Sequence, residues 1–175
     1  MKETTKVILA GMFAAVGIVL PSLFPMQLNP IILPMHIPIL VTGIVVGAKY
    51  GLICGFITPL LSSLMWQRPP IYPTALAMAF ELTAYGLIIG LVYRLALTKN
   101  NFVNIYIALI IAMIIGRIIW GLTYGILLSF DGKTLGFKLF LDAVVITSFP
   151  GIALQLIIIP PLIRTINNIQ SNLYH

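Results

Sequence analysis

The chain has 175 residues, 60% hydrophobic and only 8% charged, with a mean hydropathy of +1.09 and a formal charge of +6. Soluble domains run at about 45–50% apolar and about 25% charged residues, so this composition indicates an all-α integral membrane protein, a single transmembrane domain over residues 1–175. The basic excess does not point to nucleic acid, because Lys and Arg stand singly at segment ends without a basic stripe or an aromatic platform.

A membrane span needs roughly 20 apolar residues. The first covers about 6–24 and ends at Pro25; it lacks a small-residue cleavage site and more spans follow, so it reads as a span and not a signal peptide. The stretch MQLNPIILP, 26–34, is too apolar for an ordinary loop and too broken for a helix. It reads as a segment folded over or into the bundle mouth. Residues 36–65 are long for one helix and carry Gly43, Gly47, Lys49 and Gly51 near the centre. Two shorter spans joined by a tight turn at Ala48-Lys49-Tyr50 fit better. Cys54, the single cysteine, lies in the second of these; an internal disulfide is excluded and a thiol metal site is disfavoured.

Tandem prolines make WQRPPIYP, 66–73, a connector. A span over about 74–97 follows, then the polar turn TKNN at 98–101 and a span over about 102–128. The linker SFDGKTLG holds the turn pair Asp131-Gly132. The last span, about 137–163, is interrupted at Pro150-Gly151 and Pro160-Pro161 and leads into a polar tail. The result is a six-helix bundle.

With both termini inside, the inner side holds Lys2, Lys6, Lys49, Arg94, Lys99 and Arg164, and the outer side holds Arg68, Lys133 and Lys138. The positive-inside bias therefore puts both termini in the cytoplasm of a multi-pass cell-membrane protein. The outer connectors 25–34, 66–73 and 129–136 are the longest, as expected for a site that opens outward.

Glu81, Arg117 and Asp142 sit within apolar segments. A charge at bilayer depth is costly, so it normally faces the bundle interior, a partner or a wet cavity. Small residues recur on the first helix: Ala10 and Ala14 are four apart, as are Gly11 and Ala15. Such faces admit close helix approach, either within the chain or from another subunit.

The Ala10-x-x-x-Ala14 pair, the run PMHIPILVTGIVVGAKYGLICGFITPLLSSL at 34–64 and the run PPIYPTALAMAFELTAYGLIIGLVYR at 69–94 together resemble the substrate-binding (S) component of energy-coupling-factor (ECF) vitamin transporters. The resemblance covers most of the chain and is nearest the branch of riboflavin, pantothenate, hydroxymethylpyrimidine and pyridoxine carriers. It implies a subunit that captures a vitamin outside at high affinity. It implies docking, through the Ala10/Ala14 face of the first helix, on a membrane scaffold (T) subunit that carries two ATPases. It implies that the S component topples to release the vitamin inside. The chain has no GxxxxGK[ST] phosphate loop, consistent with such a division of labour.

The spacing suggests where a ligand sits. Glu81 and Tyr85 are four apart on one helix face, and Glu81 lies roughly 12 Å below the outer start of its span. Arg117, Trp120 and Tyr124 share a face of the next span, and Asp142 begins the last span near the same level. Aromatic walls with a few polar groups describe a ligand pocket. Each residue also has a plainer reading. Glu81 and Arg117 suit a buried pair that neutralises itself. Trp120 and Tyr124 suit an interfacial belt. Asp142 suits a pair with Lys138. His36, between Pro34 and Pro38, is either a hydrogen-bonded structural residue or a ligand contact. Trp66, Arg68 and Tyr72 form an outer loop able to close over a ligand, although Arg68 also suits a solvated loop.

Neither a catalytic residue nor a bound cofactor is expected. Ser62-Ser63 lack a nearby base and no HExxH motif is present, which disfavours a membrane enzyme. Paired metal-ligand spacing is also missing. A structural or assembly subunit fits poorly with three costly charges in separate spans. A carboxylate and stacking aromatics favour a hydroxymethylpyrimidine- or pyridoxine-like ligand. An arginine fork would favour pantothenate.

Overall fold

The computed structural model describes residues 2–25, 27–132 and 147–173. Every regular element among them is helical. Helix α1, Glu3–Val19, continues into a 3-10 turn, Leu20–Leu23. Short α2, Asn29–Ile32, and α3, His36–Val45, follow. Then come α4, Ala48–Trp66, α5, Leu76–Arg94, α6, Asn101–Phe130, and α7, Phe149–Leu173. Five segments are long and apolar enough to cross a membrane: Glu3–Leu23, Ala48–Trp66, Ile71–Arg94, Asn101–Phe130 and Phe149–Asn168.

Helix α3 is the sixth apolar helix and the exception. Its 10 residues rise about 15 Å, half of a hydrocarbon core of about 30 Å. His36 therefore starts a helix too short to span the membrane by itself. The segment before it, predicted to fold over or into the bundle mouth, forms α2 and lies against α7. Asn29 Nδ2 donates to the Pro21 carbonyl at 3.1 Å and ties this segment back to the end of α1.

The break between α3 and α4 falls earlier than the expected turn at Ala48-Lys49-Tyr50. Gly47 makes it, with φ +119°, a conformation that L side chains rarely adopt. Ala48, Lys49 and Tyr50 already belong to the first turn of α4. The last helix also departs from expectation. Pro150 and Gly151 lie at its start, and it runs through Pro160-Pro161 into the segment read as a tail. In an apolar medium a kinked helix leaves fewer unpaired backbone groups than a broken one. The N-terminal part of the expected sixth span, with Lys138 and Asp142, lies outside the described residues.

The core is shared by α3, α5, α6 and α7: Ile39, Leu40, Leu82, Tyr85, Ile89, Ile105, Leu109, Ile159 and Ile163 are all buried. A glycine seam brings α4 and α5 into backbone contact. A Cβ added at Gly86 would lie 2.2 Å from Gly51 backbone atoms, and one at Gly55 would lie 2.2 Å from the Leu82 carbonyl oxygen. Only glycine permits this approach.

Helix α1 is the least buried of the five and packs on α3 and α4. Its two small pairs part company. Ala10 faces inward, 5% exposed, and its carbonyl accepts from Cys54 Sγ at 3.4 Å. Ala14 is half-buried against the core. Gly11 and Ala15 face outward, and a Cβ at Gly11 would meet nothing within 4 Å. At the N-terminal end, Glu3 accepts from Lys6 Nζ and from the Tyr50 hydroxyl, both at 2.6 Å, joining α1 to the start of α4.

Candidate ligand-binding site

Three helices bring ionisable side chains to one buried point. Glu81 comes from α5, Arg117 from α6, and His36 from the N-terminus of α3. Glu81 Oε1 lies 3.3 Å from Arg117 Nη1 and 3.5 Å from His36 Nε2. His36 and Glu81 are each 1% exposed and Arg117 7%. The Tyr85 ring stands edge-on to His36, with centroids 5.3 Å apart. Its side chain also interacts with both Glu81 and Arg117.

Local sequence explains the convergence. Glu81 and Tyr85 are one turn apart on α5. Gly116 precedes Arg117 and leaves room for the Tyr85 ring; a Cβ there would fall 1.9 Å from it. Helix α6 is thus held close to α5 at the level where Arg117 must reach Glu81.

The cluster is not closed on itself. Contacts of 3.3 and 3.5 Å are longer than the ~2.7–2.9 Å of a charge-assisted hydrogen bond. His36 Nδ1 and Nε2, Glu81 Oε1, and Arg117 Nε and Nη2 are buried without a hydrogen-bond partner. Buried polar groups are normally satisfied, so these atoms stand out as hydrogen-bonding capacity that the described residues do not use. The free guanidinium N–H groups are donors, Glu81 Oε1 is an acceptor, and a neutral imidazole supplies one of each.

The other expected site residues are placed differently. Trp120 and Tyr124 stack on each other, centroids 4.8 Å apart and planes 12° apart, both half-buried. They continue up α6 from Arg117. Trp66 and Arg68 are exposed. The Arg68 carbonyl accepts from Ser62 Oγ at 2.8 Å. The Tyr72 hydroxyl donates to the Leu127 carbonyl, so the 66–73 connector is fastened to α6. Asp142 lies outside the described residues.

Sequence reading missed Gln155. It is 1% exposed on α7, with neither amide atom partnered. The signal in the sequence is a single amide in the apolar run ALQLIII, which carries no formal charge to mark it.

No curated protein and no solved structure gives a significant match to the chain. A family model described as "ECF transporter, substrate-specific component" matches residues 5–163. That is most of the chain, with all of α2 to α6 and the His36–Glu81–Arg117 cluster inside it. The chain therefore belongs to the family of substrate-specific components of ECF transporters, multi-pass membrane subunits of a transport system.

Proposed function

We propose that the chain captures a water-soluble vitamin or vitamin precursor from outside the cell, at the buried cluster of His36, Glu81 and Arg117. A heteroaromatic solute of the hydroxymethylpyrimidine or pyridoxine kind is favoured over pantothenate or riboflavin. The observation that carries this reading is the set of unpartnered polar atoms buried where α3, α5 and α6 meet. Burying them without a ligand role would be an unreturned cost. The test is purification without added substrate, mass spectrometry of any small molecule that co-purifies, and calorimetric titration with these four vitamins. Binding of none of them, with no co-purified solute, would end the proposal.

The reading requires both termini in the cytoplasm and the 25–34 and 66–73 connectors outside. With Cys54 replaced, a cysteine at Gly132 should react with an impermeant thiol reagent from outside, and one at Asn100 only after the membrane is opened. The reverse pattern would place the mouth on the wrong side for uptake.

Transport further requires a scaffold subunit with two ATPases, and the proposed contact is α1. Among its small residues, Gly11 and Ala15 are the exposed pair, so the docking face is centred there, with Ala14 at its edge and Ala10 inside. Ala15→Trp is expected to abolish uptake and leave titrated affinity in detergent unchanged, because close helix approach tolerates only small side chains. Normal uptake by this variant would exclude the face.

A further inference from the structure

Gln155 is a buried polar side chain that the ionic cluster does not use. Its position follows from two contacts. A Cβ at Gly151 would lie 2.5 Å from the Ile31 carbonyl oxygen and 2.9 Å from the Leu33 side chain. That face of α7 therefore lies on the end of α2. Gln155 is one turn further along the same face, about 6 Å deeper. His36 is three residues beyond Leu33, whose carbonyl accepts its N–H at 3.1 Å. Helix α7 packs against both α3 and α6. Gln155 thus stands level with the start of α3, at the wedge between the helices that carry His36 and Arg117. Ile159, the next residue on that face, is fully buried in the core and closes the wedge below.

We infer that Gln155 reads the ligand together with His36, Glu81 and Arg117, and that its amide takes a ring edge presenting a donor beside an acceptor on a solute of no net charge. The inference rests on the binding reading above and narrows it. A carboxamide offers N–H and C=O side by side, and its complement is a ring nitrogen next to an amino group, the match by which glutamine reads adenine. The charge argument is independent. Among the described residues the full charges of the cluster, Glu81 and Arg117, cancel, so an ionic solute would add an uncompensated charge within an apolar bundle. A carboxylate drawn to the free guanidinium donors would also meet Glu81, whose oxygen lies 3.3 Å from that guanidinium.

The test uses the full chain in detergent, with hydroxymethylpyrimidine and pantothenate as probes. Gln155→Met keeps the side-chain length and removes both hydrogen-bonding atoms. The empty variant is expected to melt at or above wild type, because an unpartnered buried amide has been replaced by an apolar group. Its affinity for hydroxymethylpyrimidine should fall about tenfold or more, the loss of a hydrogen bond that leaves ligand groups unpaired. Wild-type affinity in Gln155→Met, with binding lost in Glu81→Gln, would overturn the role of Gln155 and leave the site standing. Wild-type affinity in both would remove the site as well. A lower melting point of empty Gln155→Met would assign the amide to structure and overturn the inference. Wild-type binding of pantothenate without hydroxymethylpyrimidine would overturn the requirement for a neutral ring edge.

Discussion

Arg117→Ala is expected to destabilise the empty protein by about 3–5 kcal/mol and to abolish binding, because it strands a buried carboxylate. Glu81 is 1% exposed, and Arg117 supplies its one full positive charge within 3.3 Å among the described residues. Glu81→Gln should behave differently. It keeps the size of the side chain and removes the charge, so its main effect is on the ligand. The loss of one charge-assisted hydrogen bond is about 1.5–3 kcal/mol, or roughly 10–150-fold in affinity. The double variant Arg117→Met/Glu81→Gln removes both charges and should recover most of the lost melting temperature without recovering binding. Thermal melts with and without ligand, read as a double-mutant cycle, separate the two roles. An Arg117→Ala protein that melts like wild type would show that the ion pair contributes nothing to holding α5 against α6.

The second large effect belongs to the glycine seam. Gly86→Val is expected to destabilise the bundle by about 3 kcal/mol or more, at or above the upper end of ordinary overpacking. The new Cβ would fall 2.2 Å from backbone atoms of Gly51, and backbone cannot rotate away as a side chain can. Gly11→Val is the matched control, since a Cβ there meets nothing within 4 Å. Comparable yield and melting temperature for the two variants would refute the seam. Glu81 sits on α5 one turn before Tyr85, so separation of α4 from α5 would also displace the binding cluster.

What the sequence disclosed, and what it hid, follows from the range of each signal. Hydropathy is local and cumulative, so the long spans were visible, and α6 came within two residues of its true ends. Isolated charges in apolar runs are also local, and Glu81 and Arg117 were singled out from them. Their meeting with His36 depends on α3 being only about half a span long. That in turn depends on Gly47 breaking the chain two residues earlier than the basic Lys49 suggested. The inward turn of Ala10 was equally hidden, because Ala10/Ala14 and Gly11/Ala15 have the same spacing and differ by one step around the helix. Gln155 escaped because an amide carries no formal charge, although burying it without a partner is also costly.

The knot of Glu3, Lys6 and Tyr50 bears on how a force would travel through the molecule. Helix α1 has little packing of its own and would peel away if pulled alone. Its end is hydrogen-bonded to α4, however, and α4 is locked to α5 along the glycine seam. A partner that docked on α1, as proposed above, would hold a helix tied to this frame, and a torque applied there would turn the His36–Glu81–Arg117 cluster with it.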